Sequence, residues 1–158
     1  MRRSFFAEIS MKTLILKVEL HDNHLAQASG PVRDLEVRES ASLYRLAEAI
    51  AHAYGFDFDH AFGFFNRTGN DFLSSERKYE LFADMEEVAA EHPDSVSVER
   101  THVGDVWKIL GDSMTFLFDY GDMWRFTITL VGLGKVERKR RYPRVVRREG
   151  DAPEQYPE

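Results

Sequence analysis

The chain has 158 residues, 43% of them hydrophobic and 13% aromatic, and no cysteine, so it can bury a core but cannot form disulfides, thiolate zinc sites or a cysteine nucleophile. Its formal net charge is −6, and no apolar run approaches the roughly 20 residues that cross a bilayer. We therefore expect a cytoplasmic protein with no membrane association. Residues 1–7 are basic and then apolar, but Glu8 interrupts them before a secretory apolar region can form. Because Met11 opens the first strand pattern, we expect residues 1–10 to be an N-terminal extension before a single domain over residues 11–158.

The first half of the chain predicts two strands and the main helix. Residues 12–20 alternate with period two, and residues 32–38 resume strand character after the Gly30-Pro31 turn signal. Residues 43–54 carry an apolar stripe at helical spacing, with Ser40 or Ser42 as the N-cap and Gly55 as the terminating residue.

The middle of the chain is less regular. Alternating aromatics predict a strand over residues 56–65, and a polar loop follows. Residues 79–89 fit either a second helix or an ordered irregular segment, and residues 94–100 fit a short strand. Residues 103–110 predict a short amphipathic helix with Val106, Ile109 and Leu110 inward, ended by Gly111.

An aromatic hairpin over residues 115–131 is the clearest pattern in the second half. Its arms alternate in period two, and the turn falls at residues 119–122, where Gly121-Asp122 predicts positive-φ turn chemistry. The same alternation places Trp124 on the core face. Together these elements predict an α+β fold, with a mixed or antiparallel sheet of about five strands crossed by one main helix in a β-grasp-like arrangement.

A basic segment follows the hairpin. Residues 135–148 hold eight basic residues against the single acid Glu137, so the rest of the chain is more acidic than the whole. The segment either neutralises the acidic body, within the molecule or across a dimer, or contacts phosphates of a nucleic acid, or protects a sheet edge. Pro143 limits it to an edge strand or a bend. The candidate basic patch comprises Arg138, Lys139, Arg140, Arg141, Arg144, Arg147 and Arg148.

Four motifs in order resemble the plasmid pRiA4b ORF-3-like family. Residues 118–124 (FDYGDMW) resemble its "DYGD-x-W" motif, residues 43–54 its helix, and residues 59–64 its "D-x-H-x-x-x-F" strand. Residues 141–157 resemble its "YP…G-x-x-P" closure, which implies a docked C-terminal tail. The "PPVWRR"-like strand of common members is here Gly30-Pro31-Val32-Arg33, without the Trp. The resemblance implies an uncharacterised protein associated with mobile elements.

The candidate polar site comprises His60, Asp119, Tyr120 and Asp122, which the fold is expected to bring near the hairpin turn. Asp119 and Asp122 either satisfy turn N–H groups or act with His60 on a divalent cation or as base and acid. Tyr120 and Trp124 with Arg125 could instead stack a flat ligand. The cluster from His21 to His24 reads as a solvated polar loop rather than a metal site.

Two functions follow from these residues. The first is a non-enzymatic binding module whose sheet edge or basic segment engages a protein or nucleic-acid partner. The alternative is a metal-assisted hydrolase that uses His60, Asp119 and Asp122. No Gly-rich phosphate loop, serine nucleophile elbow or HExxH pair occurs, and the sequence specifies neither a cofactor nor an oligomeric state.

Overall fold

The central strands form where apolar residues alternate with polar ones. In the computed structural model, which describes residues 11–21 and 30–157, the first strand buries Leu14, Leu16, Val18 and Leu20 on one face. The strands are β1 (Lys12–His21), β2 (Val32–Arg38), β3 (Phe62–Phe65), β4 (Lys78–Glu80), β5 (Ser95–Val96), β6 (Ser113–Phe118), β7 (Trp124–Lys135) and β8 (Arg144–Glu149). The helices are α1 (Leu43–Ala53) and α2 (Val103–Val106).

All eight strands belong to one mixed sheet in the order β5-β4-β3-β6-β7-β1-β2-β8. Every pair is antiparallel except β4 with β5. The expected α+β, β-grasp-like fold with about five strands crossed by one main helix is therefore wrong. Strands β5 and β4 have two and three residues, which is too short to show a period. Strand β8 is rich in charged residues and lacks the apolar alternation that would indicate its pairing with β2.

Helix α1 forms because its sequence supplies an apolar stripe, an N-cap residue and a terminating glycine. The Ser42 side chain accepts a hydrogen bond from the backbone N–H of Arg45, and Gly55 follows the helix at φ 74°. The buried stripe (Leu43, Leu46, Ala47 and Ile50) packs into the main core.

The core lies on one face of the sheet and is rich in aromatic residues. Trp107 is fully buried there, and its indole N–H donates to the backbone carbonyl of Ile128 at 3.1 Å. A smaller cluster of Phe65, Phe72 and Leu117 forms separately from the main core. Because Phe64 and Phe65 are neighbours in β3, they point to opposite faces of the sheet.

Three predictions for the middle of the chain need correction. The aromatic strand predicted over residues 56–65 is restricted to β3. Residues 79–89 contain the end of β4 and 3₁₀ turns, so the prediction of an ordered irregular segment is confirmed and that of a second helix is wrong. Helix α2 ends at Val106, and Ile109 and Leu110 are 70% and 59% exposed instead of inward. The nearby carboxylate of Asp112 accepts from the backbone N–H groups of Lys108 and Ile109, which holds that segment outside the helix.

Two predictions fall on parts of the chain outside the described residues, namely the extension over residues 1–10 and the loop residues Asp22, Asn23 and His24. Among the described helices, none has the length and apolar character needed to cross a membrane.

Candidate functional site

The turn between β6 and β7 is organised by Asp119. Its φ is 69°, and that of Met123 is 59°, so the positive φ angles lie at these two residues and the expectation for Gly121-Asp122 is wrong. The Asp119 Oδ1 atom accepts hydrogen bonds from the backbone N–H groups of Gly121 at 2.9 Å and Asp122 at 3.1 Å. Asp tolerates the left-handed region and commonly makes this local turn.

Strand pairing brings His60 to the same turn. Phe62 of β3 pairs with Phe118 of β6, and the backbone N–H of Asp119 donates to the carbonyl of Ala61 at 2.9 Å. His60 therefore lies beside the turn, with its Nε2 atom 3.4 Å from Asp119 Oδ2. Its other ring nitrogen, Nδ1, lies 2.8 Å from Asp59 Oδ1. The imidazole thus bridges one exposed carboxylate and one buried carboxylate.

The C-terminal tail completes the cluster. The Gln155 amide accepts from the backbone N–H of Asp57 at 2.7 Å and donates to its carbonyl at 3.2 Å. The Tyr156 hydroxyl donates to Asp59 Oδ2 at 2.7 Å and lies 3.3 Å from His60 Nδ1. The tail is therefore fastened to the segment that precedes β3, and Tyr156, Asp59 and His60 form one hydrogen-bonded group.

These contacts shift the pKa values of three side chains in the group. Hydrogen bonding to Asp59, together with the charge of Asp119, raises the pKa of His60 above its usual value. The Tyr156 hydroxyl, and then His60, lowers the pKa of Asp59, whereas hydrogen bonding to Asp59 raises the pKa of Tyr156 to about 12. All three shifts favour a protonated imidazole and an ionised Asp59.

A cleft of about 620 Å³ opens beside this group. Its floor includes Leu20, and its walls carry two aromatic rings and three carboxylates, which are those of Trp124, Tyr156, Asp122, Asp151 and Glu154. Of the residues that the structure describes, no lysine or arginine lines it. Trp124 packs against Phe56 of the core with ring centroids 4.9 Å apart, so one wall of the cleft is rigid. We call this feature the acidic cleft.

Tyr120 lies in a different environment. Its hydroxyl donates to Glu80, and its ring lies 4.9 Å from that of Phe82. Burial, followed by the hydrogen bond to Glu80, raises its pKa far above the usual value. Tyr120 therefore packs with the smaller aromatic cluster, whereas His60, Asp119 and the cleft residue Asp122 lie around the turn.

The basic segment is partly neutralised within the molecule. Arg144 pairs with Glu36, Arg147 with Asp34, and Arg140 with Glu137, each at 2.9 Å. The remaining members of the patch differ. Arg148 donates to the backbone carbonyl of Ala53 at 3.4 Å, and Arg138, Lys139 and Arg141 are exposed and make no ion pair with another described residue.

Within residues 11–21 and 30–157, no three His, Asp or Glu side chains form a group that could hold a metal ion. The sequence interpretation also omitted Asp151 and Glu154, which supply two of the three carboxylates of the acidic cleft. Their acidic tail was visible in the sequence, but its position opposite Trp124 depends on the docking of Gln155 at Asp57.

Comparisons with known proteins concern nearly the whole chain. A family model described as "Plasmid pRiA4b ORF-3-like protein" matches residues 12–156. The crystal structure of a protein of unknown function from Methanosarcina mazei Go1 is similar in fold, with a TM-score of 0.65 and 19% sequence identity over 89% of this chain and 71% of that chain. No curated protein sequence matches the chain significantly.

Proposed function

The chain belongs to the plasmid pRiA4b ORF-3-like protein family, as its motifs predicted, and we propose that it is a non-enzymatic binding module that receives a cationic segment of a partner protein in the acidic cleft. The observation that carries this proposal is the composition of the cleft walls, where Asp122, Asp151 and Glu154 accompany Trp124 and Tyr156. The "DYGD-x-W" motif contributes two of these five residues.

The chemistry of the walls favours a lysine or arginine side chain. Carboxylates form charge-assisted hydrogen bonds with guanidinium and ammonium groups, and the faces of Trp and Tyr attract cations. Among the described residues, no lysine or arginine lines the cleft to neutralise its carboxylates. A bound arginine would lie against the Trp124 ring and pair with Glu154 or Asp151.

The metal-assisted hydrolase is the weaker alternative because Asp119 already uses both oxygens. Its Oδ1 holds two turn N–H groups, and its Oδ2 faces His60. A cation bound by Asp119 would compete with the imidazole of His60, whose raised pKa opposes its use as a metal ligand.

A blocked peptide with one central arginine, and the same peptide with citrulline, would test the proposal by NMR titration. We expect the arginine peptide to shift the Trp124 indole resonance and the citrulline peptide to bind at least threefold more weakly. The double variant Asp151→Asn/Glu154→Gln should weaken arginine binding roughly three- to tenfold, as expected for two partly exposed charge pairs.

The matched control is Glu86→Gln/Glu87→Gln, which removes the same charge from two exposed residues that do not line the cleft. This control should leave the affinity within twofold of the original protein. Equal affinity for the arginine and citrulline peptides, or equal losses in the two double variants, would refute a cation-selective cleft.

A further inference from the structure

A second groove, opposite in charge, lies between α1 and β8. It has a volume of about 270 Å³, and its floor includes Leu35 and Val145. Its rim carries Arg45 and His52 from the helix, and Arg144 and Arg148 from the strand. Within residues 11–21 and 30–157, no carboxylate lines it. We call this feature the basic groove, and we infer that it binds the phosphodiester backbone of a nucleic acid.

The arginines of the groove keep donors for a ligand. Arg144 uses its Nε atom to pair with the buried Glu36, Arg45 uses Nη1 to pair with Glu48, and Arg148 uses Nη1 to bond Ala53. Each guanidinium therefore has at least one further nitrogen with no acceptor among the described residues. These internal bonds fix the side chains in place, which lowers the entropy lost when a phosphate binds.

Arg147, the neighbour of Arg148 along β8, differs from the arginines of the groove because its charge is already paired with two carboxylates. Arg147 pairs with both Asp34 and Glu149, and these contacts raise its pKa further. Successive side chains of a strand point to opposite faces, so Arg147 and Arg148 serve different surfaces. We assign Arg147 to neutralising the sheet face and Arg148 to the ligand.

Extended positive charge favours a polyanion over an isolated phosphate. The connection from β7 to β8 carries Arg138, Lys139 and Arg141, which are exposed and unpaired with any described acid, and the chain runs from them directly into Arg144. The groove continues this positive charge from Arg144 and Arg148 of β8 to Arg45 and His52 of α1. A nucleic-acid backbone offers phosphates along that whole line.

Fluorescence anisotropy with labelled mixed-sequence oligonucleotides would test this inference. We expect binding at low salt and a steep fall in affinity as salt increases, because cation–phosphate contacts release counterions. The variant Arg45→Gln/Arg148→Gln should bind roughly tenfold more weakly and reduce the slope of log affinity against log salt by about two.

A matched control is available at the opposite end of the sheet. Arg67→Gln/Arg77→Gln removes the same charge from two exposed arginines beside β3 and β4, and it should change the affinity less than threefold. The exposed pair Lys139→Gln/Arg141→Gln provides a second loss-of-binding variant in the event that Arg45→Gln/Arg148→Gln does not fold. It should also weaken binding and lower the salt slope.

Three results would overturn the inference. The first is the absence of oligonucleotide binding at low salt. The second is an equal loss of affinity in the groove and control variants, which would indicate only a nonspecific effect of net charge. The third is equal binding of a polyglutamate of similar charge, or of a mononucleotide, to that of the oligonucleotide, since neither presents a line of phosphodiesters.

Discussion

His60 stands between Asp59 and Asp119, and its protonation is linked to the docking of the tail through Tyr156. The pKa of His60 is raised in the folded chain, so the protonated ring stabilises the fold. This contribution is fully present below about pH 6.5 and is lost as the pH rises through the raised pKa. The lowered pKa of Asp59 acts in the opposite direction, because its contribution is present above about pH 4 and lost as the pH falls through the lowered value.

We expect the substitution Asp59→Asn to lower the pKa of His60, because the hydrogen bond to Asp59 is the largest cause of its elevation. An NMR titration of the His60 ring protons would measure the change. Tyr156→Phe is the matched control, since it removes a hydroxyl near the ring but keeps both carboxylates. That variant should leave the pKa of His60 raised and move the pKa of Asp59 upward, because the hydroxyl is the largest cause of its lowering. An unchanged His60 pKa in Asp59→Asn would contradict this description.

The contact between β3, β4 and the β6–β7 turn depends on the absence of a side chain at Gly63. A Cβ atom there would lie 2.8 Å from the Tyr120 hydroxyl and 2.9 Å from Glu80 Cγ. Those two side chains are joined by a hydrogen bond and cannot both withdraw without breaking it. Gly63 is therefore a requirement of packing rather than of backbone conformation.

We predict that Gly63→Ala destabilises the fold by about 1–3 kcal/mol, the usual cost of overpacking a well-filled site. Urea unfolding would measure the change. Gly132→Ala in β7 is the control. Its new Cβ atom would lie 3.3 Å from the terminal Cδ1 atom of Ile15, a milder contact that a small movement of the Ile15 side chain can relieve. A Gly132 variant that costs more than the Gly63 variant would contradict the prediction.

Long elements with a regular hydrophobic period were predictable from the sequence. Short elements, and contacts between distant parts of the chain, were not. The alternation in β1 and the apolar stripe of α1 repeat often enough to be recognised. Strand β5 has two residues and forms only through its pairing with β4. The sequence predicted that His60 lies near the hairpin turn, but its contact with Asp119 depends on the register of Phe62 with Phe118, which no local pattern specifies. The acidic cleft likewise requires the tail to cross the end of the sheet.

At the scale of the whole molecule, Arg33 joins parts of the chain that are distant in sequence. Its side chain is buried, and its guanidinium lies 5.1 Å from the centre of the Tyr54 ring. It donates to four backbone carbonyls, which belong to Val32, Ala53, Glu149 and Gly150. One side chain thus ties β2 to the end of α1 and to the start of the tail.

We predict that Arg33→Met destabilises the fold by roughly 2–4 kcal/mol, because it removes charge-assisted hydrogen bonds and leaves buried carbonyls without a donor. Arg33→Lys should recover only part of this loss, since an ammonium cannot reproduce the planar fork. Thermal unfolding would measure both. Arg38→Met is the control in the same strand, where only a cation–π contact with Tyr142 is lost, and it should cost less than about 1 kcal/mol. A similar loss in the two methionine variants would contradict this role for Arg33.

The two outermost strands also determine how the sheet ends. Strand β5 offers only two residues for further pairing, and β8 carries three arginines along its six residues. Short strands and charged side chains are devices by which proteins prevent sheets of neighbouring molecules from joining edge to edge. The same arginines that supply the basic groove therefore protect a strand-rich protein against fibril formation, so replacing them by apolar residues would remove a ligand site and a barrier to aggregation together.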